Sequence, residues 1–505
     1  MTALAQVYAG RGIRVSGSDT SQRFYTDDVL RRAGIPFVEL FAADNIPTET
    51  NLVVCSTAYD ADHVEVAEAL RRGLRVLTYP EAIAEVFNAG KGIAVCGTHG
   101  KSTTTAMLGW VLAEAGLDPT VIVGAEVPQF TRQNFSGEHF GGFGGNARIG
   151  QSDIVVLEAD EYQDKLRHLQ PHGVILTSIE YDHPDFFRTP KSYVDAFRRF
   201  VARIPADGFL VACADDAEVV EVARAARCTA IPYGLTLPPS PPPDGHRSGE
   251  TKNNFSPSRP EGEQEGEDSN AITLQIPGRH NVQNALGVLA AADRLGVPRD
   301  VALRALASFQ GTRRRFEIVG SVQHSMLDTR DTVVIDDYGH HPTEIRVTLA
   351  AARERYPGRR ILCAFHPHTF TRTIALKDQF ATAFVSANQT YVMDIFGSAR
   401  EVPPLLAEGE REGVRGEHLV PRNRGEGGAG VGPSGDSNTA HGITSDLVAA
   451  IHANSPAIAS GNVEQTVEAL ARDAQPGDVV VCMGAGENDR VARGLVERLR
   501  VRIVR

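Results

Sequence analysis

The sequence predicts an α/β protein built from three successive domains. Three observations carry this expectation. Apolar runs of strand length alternate with helix-length runs along almost the whole chain, the pattern of parallel sheets covered by helices. At 505 residues the chain is too long for one core. The stretch from Lys91 to Trp110, KGIAVCGTHGKSTTTAMLGW, joins a strand to a helix through a glycine-bearing turn and reads as the head of a second domain.

Residues 1–90 form the first α/β region. Ala3–Ala9 is expected as a helix, Arg14–Asp19 as a strand, Thr26–Ala33 as a helix, Asn51–Ser56 as a strand, Val64–Arg72 as a helix and Val76–Thr78 as a strand. The chain opens inside a helix, with no strand or glycine-rich turn before it, although nucleotide-binding α/β domains usually start with both. The region is therefore expected to be incomplete at its N-terminus, with a start upstream of Met1 as the favoured account.

Residues 91–310 form the second region. Gly92–Cys96 is a strand, and a helix-like run covers Thr104–Ala115. Asp153–Leu157 and Gly173–Ser178 are further strands, the first ending at Glu158-Ala159-Asp160-Glu161 and the second leading to Asp182-His183. Residues 236–270 are rich in Pro, Gly, Ser and Glu and read as a disordered insertion. Order is expected again from Ile272, with a helix over Asn284–Leu295.

Residues 311–505 form the third region. Its strands are Thr332–Ile335, Arg360–Phe365, Tyr391–Ile395 and Asp478–Met483, with a helix over Thr343–Arg355. Residues 405–441 are a second low-complexity insertion. The first and third regions are Rossmann-like in pattern, and the middle one is a parallel sheet of the P-loop ATPase type.

Composition narrows the function. Hydrophobic residues at 42% and charged residues at 23% are ordinary for a globular protein. A net charge of −12 argues against a nucleic-acid partner, while a local basic cleft remains compatible with an anionic ligand. No apolar run approaches the roughly 18 residues of a membrane span, and the N-terminus lacks the features of a secretory signal. The six cysteines, at 55, 96, 213, 228, 363 and 482, form no CxxC pair and read as reduced thiols of a cytoplasmic protein. Monomer and homodimer are both compatible with these features.

Gly97-Thr98-His99-Gly100-Lys101-Ser102-Thr103 carries the sharpest chemistry. A glycine-bearing turn leading into a helix N-terminus presents backbone N–H groups and a positive dipole end to phosphate. Lys101 would reach the outer phosphates and Ser102 would ligate magnesium. The loop is shorter than the general phosphate-loop pattern, because Val95 stands where its first glycine belongs. Glu158 and His183, at strand C-termini, are candidate metal-site residues, the bland alternative being solvated strand ends. Arg198, Arg199 and Arg203 read as a solvated helix face. His340, His341, His366 and His368 are expected as polar ligand contacts, since their spacing matches no zinc pattern. Arg315 and Arg372 are candidate phosphate clamps, although an isolated arginine is usually surface decoration.

Taken together, the motifs resemble a family. The phosphate loop, Glu158-Ala159-Asp160-Glu161, Asp182-His183, Gly278-Arg279-His280-Asn281, Gly311-Thr312-Arg313-Arg314-Arg315-Phe316-Glu317, Asp336-Asp337-Tyr338-Gly339-His340-His341-Pro342-Thr343-Glu344 and Gly484-Ala485-Gly486 occur in the order found in the Mur ligases, and look most like their alanine-adding branch. The resemblance covers nearly the whole chain outside the two insertions. It implies a first domain for UDP-N-acetylmuramate, a central one for ATP and a C-terminal one that closes over both and helps hold L-alanine. It implies an acyl phosphate made by attack of the muramate carboxylate on ATP and displaced by the alanine amine. It assigns Lys101, Glu158, His183 and Asp337 to catalysis, with Mg2+ held by Ser102, Glu158 and His183. It places ATP against Gly97 to Thr103, Asn281, Asn284 and Arg315, and the substrates against Ser18, Asp19, His99, His340, His341 and Arg372.

The chain departs from the family in several places. The family's N-terminal glycine-rich turn, which carries the UDP diphosphate, is absent. Tyr162-Gln163-Asp164-Lys165-Leu166-Arg167 replaces the usual segment after Glu161, which affects the expected muramoyl contacts. Thr369 stands where many members have Arg, and Phe197 stands near the position where other branches carry a carbamylated lysine. Two further readings follow: a recycling ligase that adds a whole tripeptide, favoured by Tyr162, Tyr181 and Asp182–Phe187, and a non-catalytic nucleotide-binding remnant. A plain P-loop kinase does not account for the third domain.

Overall fold

The computed structural model describes residues 1–21, 25–131, 143–236, 272–323, 330–397 and 440–504. The expected insertions at 236–270 and 405–441 lie, but for their margins, outside the described residues. The chain packs as two compact units, Met1–Arg315 and Phe316–Arg505.

In the first unit, helix Thr2–Gly10 precedes β1 (Gly17–Ser18), β2 (Phe37–Val38), β3 (Leu52–Cys55) and β4 (Arg75–Thr78). These strands form two separate parallel pairs, β1 with β2 and β3 with β4. The strand expected over Arg14–Asp19 is therefore only two residues long. Backbone groups stay in a strand only where a neighbour pairs with them, and β1 is paired through Gly17 and Ser18 alone. Helices Val64–Arg71 and Tyr79–Asn88 pack on β3 and β4, while helix Tyr25–Arg32 packs on helix Thr2–Gly10 and on the strand at Phe143–Arg148. Helix Tyr79–Asn88 begins with a capping box, in which Thr78 and Glu81 satisfy each other's backbone N–H groups.

The larger sheet of this unit holds β5 (Lys91–Cys96), β6 (Thr120–Thr131), β7 (Phe143–Arg148), β8 (Ile154–Glu158), β9 (Gly173–Leu176), β10 (Phe209–Cys213) and β11 (Thr229–Tyr233). Their order is β11-β10-β9-β5-β8-β6-β7. All neighbours are parallel except β6 and β7, so the expected all-parallel sheet has an antiparallel edge. Strand β5 lies at the centre and is fully apolar from Ile93 to Cys96, as a strand covered on both faces must be. Helix Lys101–Glu114 follows it and is buried from Ser102 to Ala113. One apolar core runs from Ala3, Leu4 and Val7 through Phe87 and Ile93 to Phe309. The first helix thus belongs to the same core as the large sheet, and Gln6 Nε2 donates to Asn146 Oδ1 of β7 at 2.8 Å.

The second unit carries β12 (Glu317–Gln323), β13 (Asp331–Asp337), β14 (Ile361–His366), β15 (Gln389–Met393), β16 (Ala457–Gly461) and β17 (Val479–Gly484), in the order β12-β13-β17-β14-β15-β16. Only β12 runs antiparallel. Apolar clusters lie on both faces of this sheet, one around Ile335, Phe365 and Phe380 and the other around Val334, Leu362 and Leu495. The C-terminal ends of β13, β14 and β17 are neighbours, which gathers Asp337, His366 and Gly484 at one edge.

Candidate active site

The phosphate loop leaves β5 at Cys96, and its two sheet neighbours β8 and β9 end beside it. Gly97 and Gly100 have φ of +130° and +78°, which glycine adopts without a side-chain clash. Gly100 is the N-cap of helix Lys101–Glu114, so no side chain closes its first turn, the arrangement that an anion at a helix N-terminus requires. A Cβ on Gly100 would stand 2.6 Å from Asn284 Oδ1, so the second helix of the site packs directly on the loop. That helix, Arg279–Arg294, carries Asn281 and Asn284, both buried, with Asn281 Nδ2 donating to the Pro277 carbonyl at 2.6 Å. The sequence places these asparagines some 180 residues from the glycine they meet, and the fold brings them together.

Lys101 donates to the carbonyls of Gly97 at 2.5 Å and Thr98 at 3.1 Å, and to Glu161 Oε2 at 3.1 Å. Burial disfavours its ammonium, but the carboxylates of Glu161, Asp160 and Glu158 outweigh burial and hold its pKa above the ordinary lysine value. Ser102 Oγ donates to Glu158 Oε1 at 2.9 Å, and Glu158 Oε2 accepts from the Gly124 N–H at 2.6 Å. Ser102 and Glu158, both expected as magnesium ligands, are thus hydrogen-bonded neighbours.

His183 stands elsewhere. Its ring nitrogen is 3.8 Å from Glu161 Oε1, and ligand atoms of Asp160, Glu161 and His183 all lie within 4.8 Å of one another. The metal-competent partners of His183 are thus Asp160 and Glu161, which sequence reasoning had quoted in a motif without assigning. His183 has φ of +56°, a strained stance for a side-chain-bearing residue. Tyr193 was also missed. Fully buried on helix Pro190–Val201, it donates to Glu161 Oε1 at 3.0 Å and lies 2.9 Å from Thr98 Oγ1. Burial, then the nearby Glu161 and Asp182 charges, push its phenol pKa up, so it stays a neutral donor. A lone hydroxyl on an otherwise apolar helix face was its only sequence signal. Phe197, one turn on, is buried in the core.

A cavity of about 390 Å³ opens beside Lys101, Glu158, Asp160 and Lys165, with Tyr79, Ile122, Val123 and Leu169 among its apolar walls. Its size suits part of a nucleotide-sugar. Two sets of oxygen-rich ligands near it suit hard divalent cations: Ser102 with Glu158, and Asp160 with Glu161 and His183.

The remaining expected residues have defined places. Ser18 donates to Glu65, and Asp19 Oδ1 accepts from the Thr20 N–H at 2.8 Å, both at the end of β1. His99 Nε2 is 2.8 Å from Glu180 Oε2. Arg315 lies between Arg314 and Phe316, whose φ values are +58° and +54°. Of the three arginines expected on a solvated face, Arg198 pairs with Asp195 and Arg199 with Asp164, while Arg203 donates to the Arg167 carbonyl.

In the second unit Asp337 is buried, and its two oxygens accept from the N–H groups of Phe316 at 2.8 Å and Gly339 at 2.7 Å. This geometry ties the Phe316 and Gly339 backbone to the end of β13. His341 caps helix Pro342–Arg355, its Nδ1 accepting from the Thr343 N–H at 3.3 Å. His340 Nδ1 lies 3.1 Å from the Tyr338 carbonyl. Arg372 is buried, with Nη1 3.1 Å from His368 Nδ1, so it is no surface arginine. His366 Nδ1 accepts from the Glu487 N–H at 3.0 Å, which links β14 to the turn after β17.

Three family models match in sequence: Mur ligase family, catalytic domain, over residues 1–91; Mur ligase middle domain over 95–292; and Mur ligase, glutamate ligase domain, over 314–423. A UDP-N-acetylmuramate–L-alanine ligase of Desulfitobacterium hafniense is 34% identical over 501 residues, covering 98% of this chain and 97% of its own. The chain belongs to the Mur ligase family. A second relative so described, from Frankia casuarinae, is 39% identical over 442 residues, covering 80% of this chain and 82% of its own. Among solved structures, the UDP-N-acetylmuramate–alanine ligase of Thermotoga maritima superposes with a TM-score of 0.69 at 24% identity, covering 99% of this chain and 96% of that one. A murein peptide ligase from Psychrobacter arcticus gives 0.65 at 23%, covering 99% and 96%. Both likenesses establish the three-domain α/β fold of this Mur ligase and do not discriminate substrates. Mur ligases use ATP, in keeping with the loop geometry. Among the described residues no helix is long and apolar enough to cross a membrane.

Proposed function

We propose that this Mur ligase joins L-alanine to the carboxylate of UDP-N-acetylmuramate at the expense of ATP, in the synthesis of peptidoglycan precursors in the cytoplasm. The observation that carries the chemistry is the convergence of Lys101, Ser102, Glu158 and Glu161 at the ends of β5 and β8, beside the cavity. The choice of alanine over a tripeptide rests on the full-length identity to alanine-adding relatives.

The residues divide the work as follows. The turn from Gly97 to Thr103 cradles the ATP phosphates on backbone N–H groups, with Asn281 and Asn284 behind it on the side of the nucleotide base. Lys101 turns from its own loop carbonyls to the outer phosphates and offsets the charge that spreads over the transferring group. Ser102 and Glu158 would hold one Mg2+, and Asp160, Glu161 and His183 a second. Magnesium, when bound, neutralises phosphate oxygens. The muramate carboxylate attacks the γ-phosphorus and ADP leaves, giving an acyl phosphate. The alanine amine then attacks the acyl carbon and inorganic phosphate departs. Residues 1–90 would carry the UDP-sugar, with Ser18, Asp19 and, from the middle region, His99 as contacts, residues 91–310 the ATP, and residues 311–505 the amino acid through His340, His341 and Arg372. Arg315 would meet ATP, and Asp337 would act by holding its loop.

The test is phosphate release from ATP with UDP-N-acetylmuramate, with and without L-alanine, and with the tripeptide in its place. Release that depends on L-alanine supports the reading. Release with the tripeptide alone, or none from a folded chain that binds ATP, overturns it.

A further inference from the structure

Lys165 is unexplained by the roles above. It lines the cavity together with Lys101, Glu158 and Asp160. Its Nζ donates to Asp160 Oδ2 at 2.5 Å and stands 5.2 Å from the centre of the Tyr162 ring. The turn that delivers it is strained. Gln163 and Asp164 are consecutive residues with φ of +58° and +55°, where Cβ crowds the backbone carbonyl. Such a stance persists only when neighbours enforce it. Here Thr57 Oγ1 donates to Gln163 Oε1 at 3.1 Å, Arg199 Nη2 reaches Asp164 Oδ1 at 3.3 Å, and Tyr162 OH donates to Asp185 Oδ2 at 2.7 Å. The whole turn is pinned, and what it aims is an ammonium on the cavity wall.

Charge explains why an ammonium is needed there. Two carboxylates, Glu158 and Asp160, line the same space that an anionic sugar nucleotide must enter. A carboxylate repels an incoming anion, and the Lys165 ammonium, bonded to Asp160 on the cavity wall, offsets that repulsion at Asp160. An ammonium has three donors, and Asp160 takes one.

We propose that Lys165 is a substrate-binding residue that receives an anionic group of the sugar nucleotide, with Asp160 and the left-handed turn at Gln163 and Asp164 fixing its position. This rests on the proposed function, and takes the cavity, whose lining runs from Met1, Thr2 and Ala3 to Lys165, as the place where part of the sugar nucleotide sits. The role is one of recognition, so the effect falls on the sugar substrate and spares the nucleotide site of Lys101.

The experiment compares wild type with Lys165→Met and Lys165→Arg in the full chain. Direct binding of UDP-N-acetylmuramate is measured by calorimetry, and KM for each substrate and kcat by phosphate release. For Lys165→Met, Kd and KM for UDP-N-acetylmuramate rise about tenfold or more, the worth of one charged hydrogen bond. KM for ATP stays within about twofold, and Lys165→Arg recovers most of the loss by keeping the charge. Unchanged sugar affinity in Lys165→Met overturns the inference and leaves the proposed function standing. Equal losses for ATP and sugar, or no recovery with arginine, also overturn it, since both mark a merely structural role. Wild type that binds no UDP-N-acetylmuramate overturns both. Should Lys165→Met fail to fold, Lys165→Gln is read by the same criteria.

Discussion

The Lys101 ammonium lies 3.1 Å from Glu161 Oε2 and 2.5 Å from the Gly97 carbonyl, so the lysine of the phosphate loop is held by an acid 60 residues further along the chain. Glu161 is almost fully buried, and Tyr193 donates to its other oxygen. The charge of Lys101 is thereby kept in place by a partner that is itself fixed.

Replacing Lys101 by Ala removes the cation that offsets charge on the transferring phosphoryl group. Loss of one preorganised electrostatic contact of this kind costs about 10²–10³ in kcat, and more where a charge is lost. ATP-dependent phosphate release should fall by at least about 10³-fold in a variant whose circular dichroism is unchanged. Normal turnover in such a variant contradicts the assignment of the loop.

Glu158→Gln keeps the shape but halves the acceptor character that meets Ser102 and the Gly124 N–H. It should raise the Mg2+ concentration for half-maximal activity by about tenfold or more, in line with the loss of one charged ligand. A titration of activity against Mg2+ decides this, and an unchanged midpoint removes Glu158 from the metal set.

Gly100→Ala meets two obstacles, a φ of +78° and an Asn284 oxygen 2.6 Å from the new Cβ. Gly12→Ala is the control, since Gly12 has φ of +81° and nothing within 4 Å of its Cβ. Backbone strain alone costs on the order of 1–3 kcal/mol, which both variants share. Gly100→Ala should melt lower than the control and lose ATP affinity. Equal melting temperatures and full affinity would show that the loop and the Asn284 helix are not in contact.

Burial works to raise the Asp160 pKa, but the Lys165 and Lys101 ammoniums outweigh it and hold the carboxyl below its usual value. The ionised carboxylate therefore stabilises the fold above about pH 4, and that contribution disappears as the pH falls through the lower folded-state value. Asp160 is 44% exposed, so solvent screening keeps the effect modest. In thermal melts from pH 7 to pH 3, wild type should lose its advantage over Asp160→Asn at the acid end. A constant difference across that range argues against the pairing.

Asp337→Asn would point an amide N–H at one of two backbone N–H groups, those of Phe316 and Gly339. A buried donor left facing a donor costs about 1–3 kcal/mol. The second unit should melt earlier in the variant. A large loss of kcat without any loss of stability would instead make Asp337 a reacting group.

Contiguous chemistry was readable from sequence. The loop from Gly97 to Thr103 needs only a strand, two glycines and a helix start, all local in the chain. The strands at Lys91–Cys96 and Ile154–Glu158 were readable for the same reason, as apolar runs that a covered parallel sheet demands. Less regular pieces were not. The pairing of β6 with β7 is broken by register shifts, and its alternation is correspondingly weak. The turn at Gln163 and Asp164 uses left-handed residues that carry no glycine to announce them.

The sequence by itself determined the α/β class, the glycine-bearing turn between β5 and its helix and which acids close the strands beside it, because each depends on neighbours within a few residues. Only the tertiary structure decided which acid serves which partner. Glu158 went to Ser102, while Glu161 went to Lys101 and Tyr193, with Asp160 at Lys165 and the His183 ring beside Glu161. Beyond Glu158 the strand ends in a tight 3-10 turn, so the alternation that tells one face from the other no longer applies. Where regular geometry stops, side-chain direction is set by packing against distant segments, and a linear sequence does not record that.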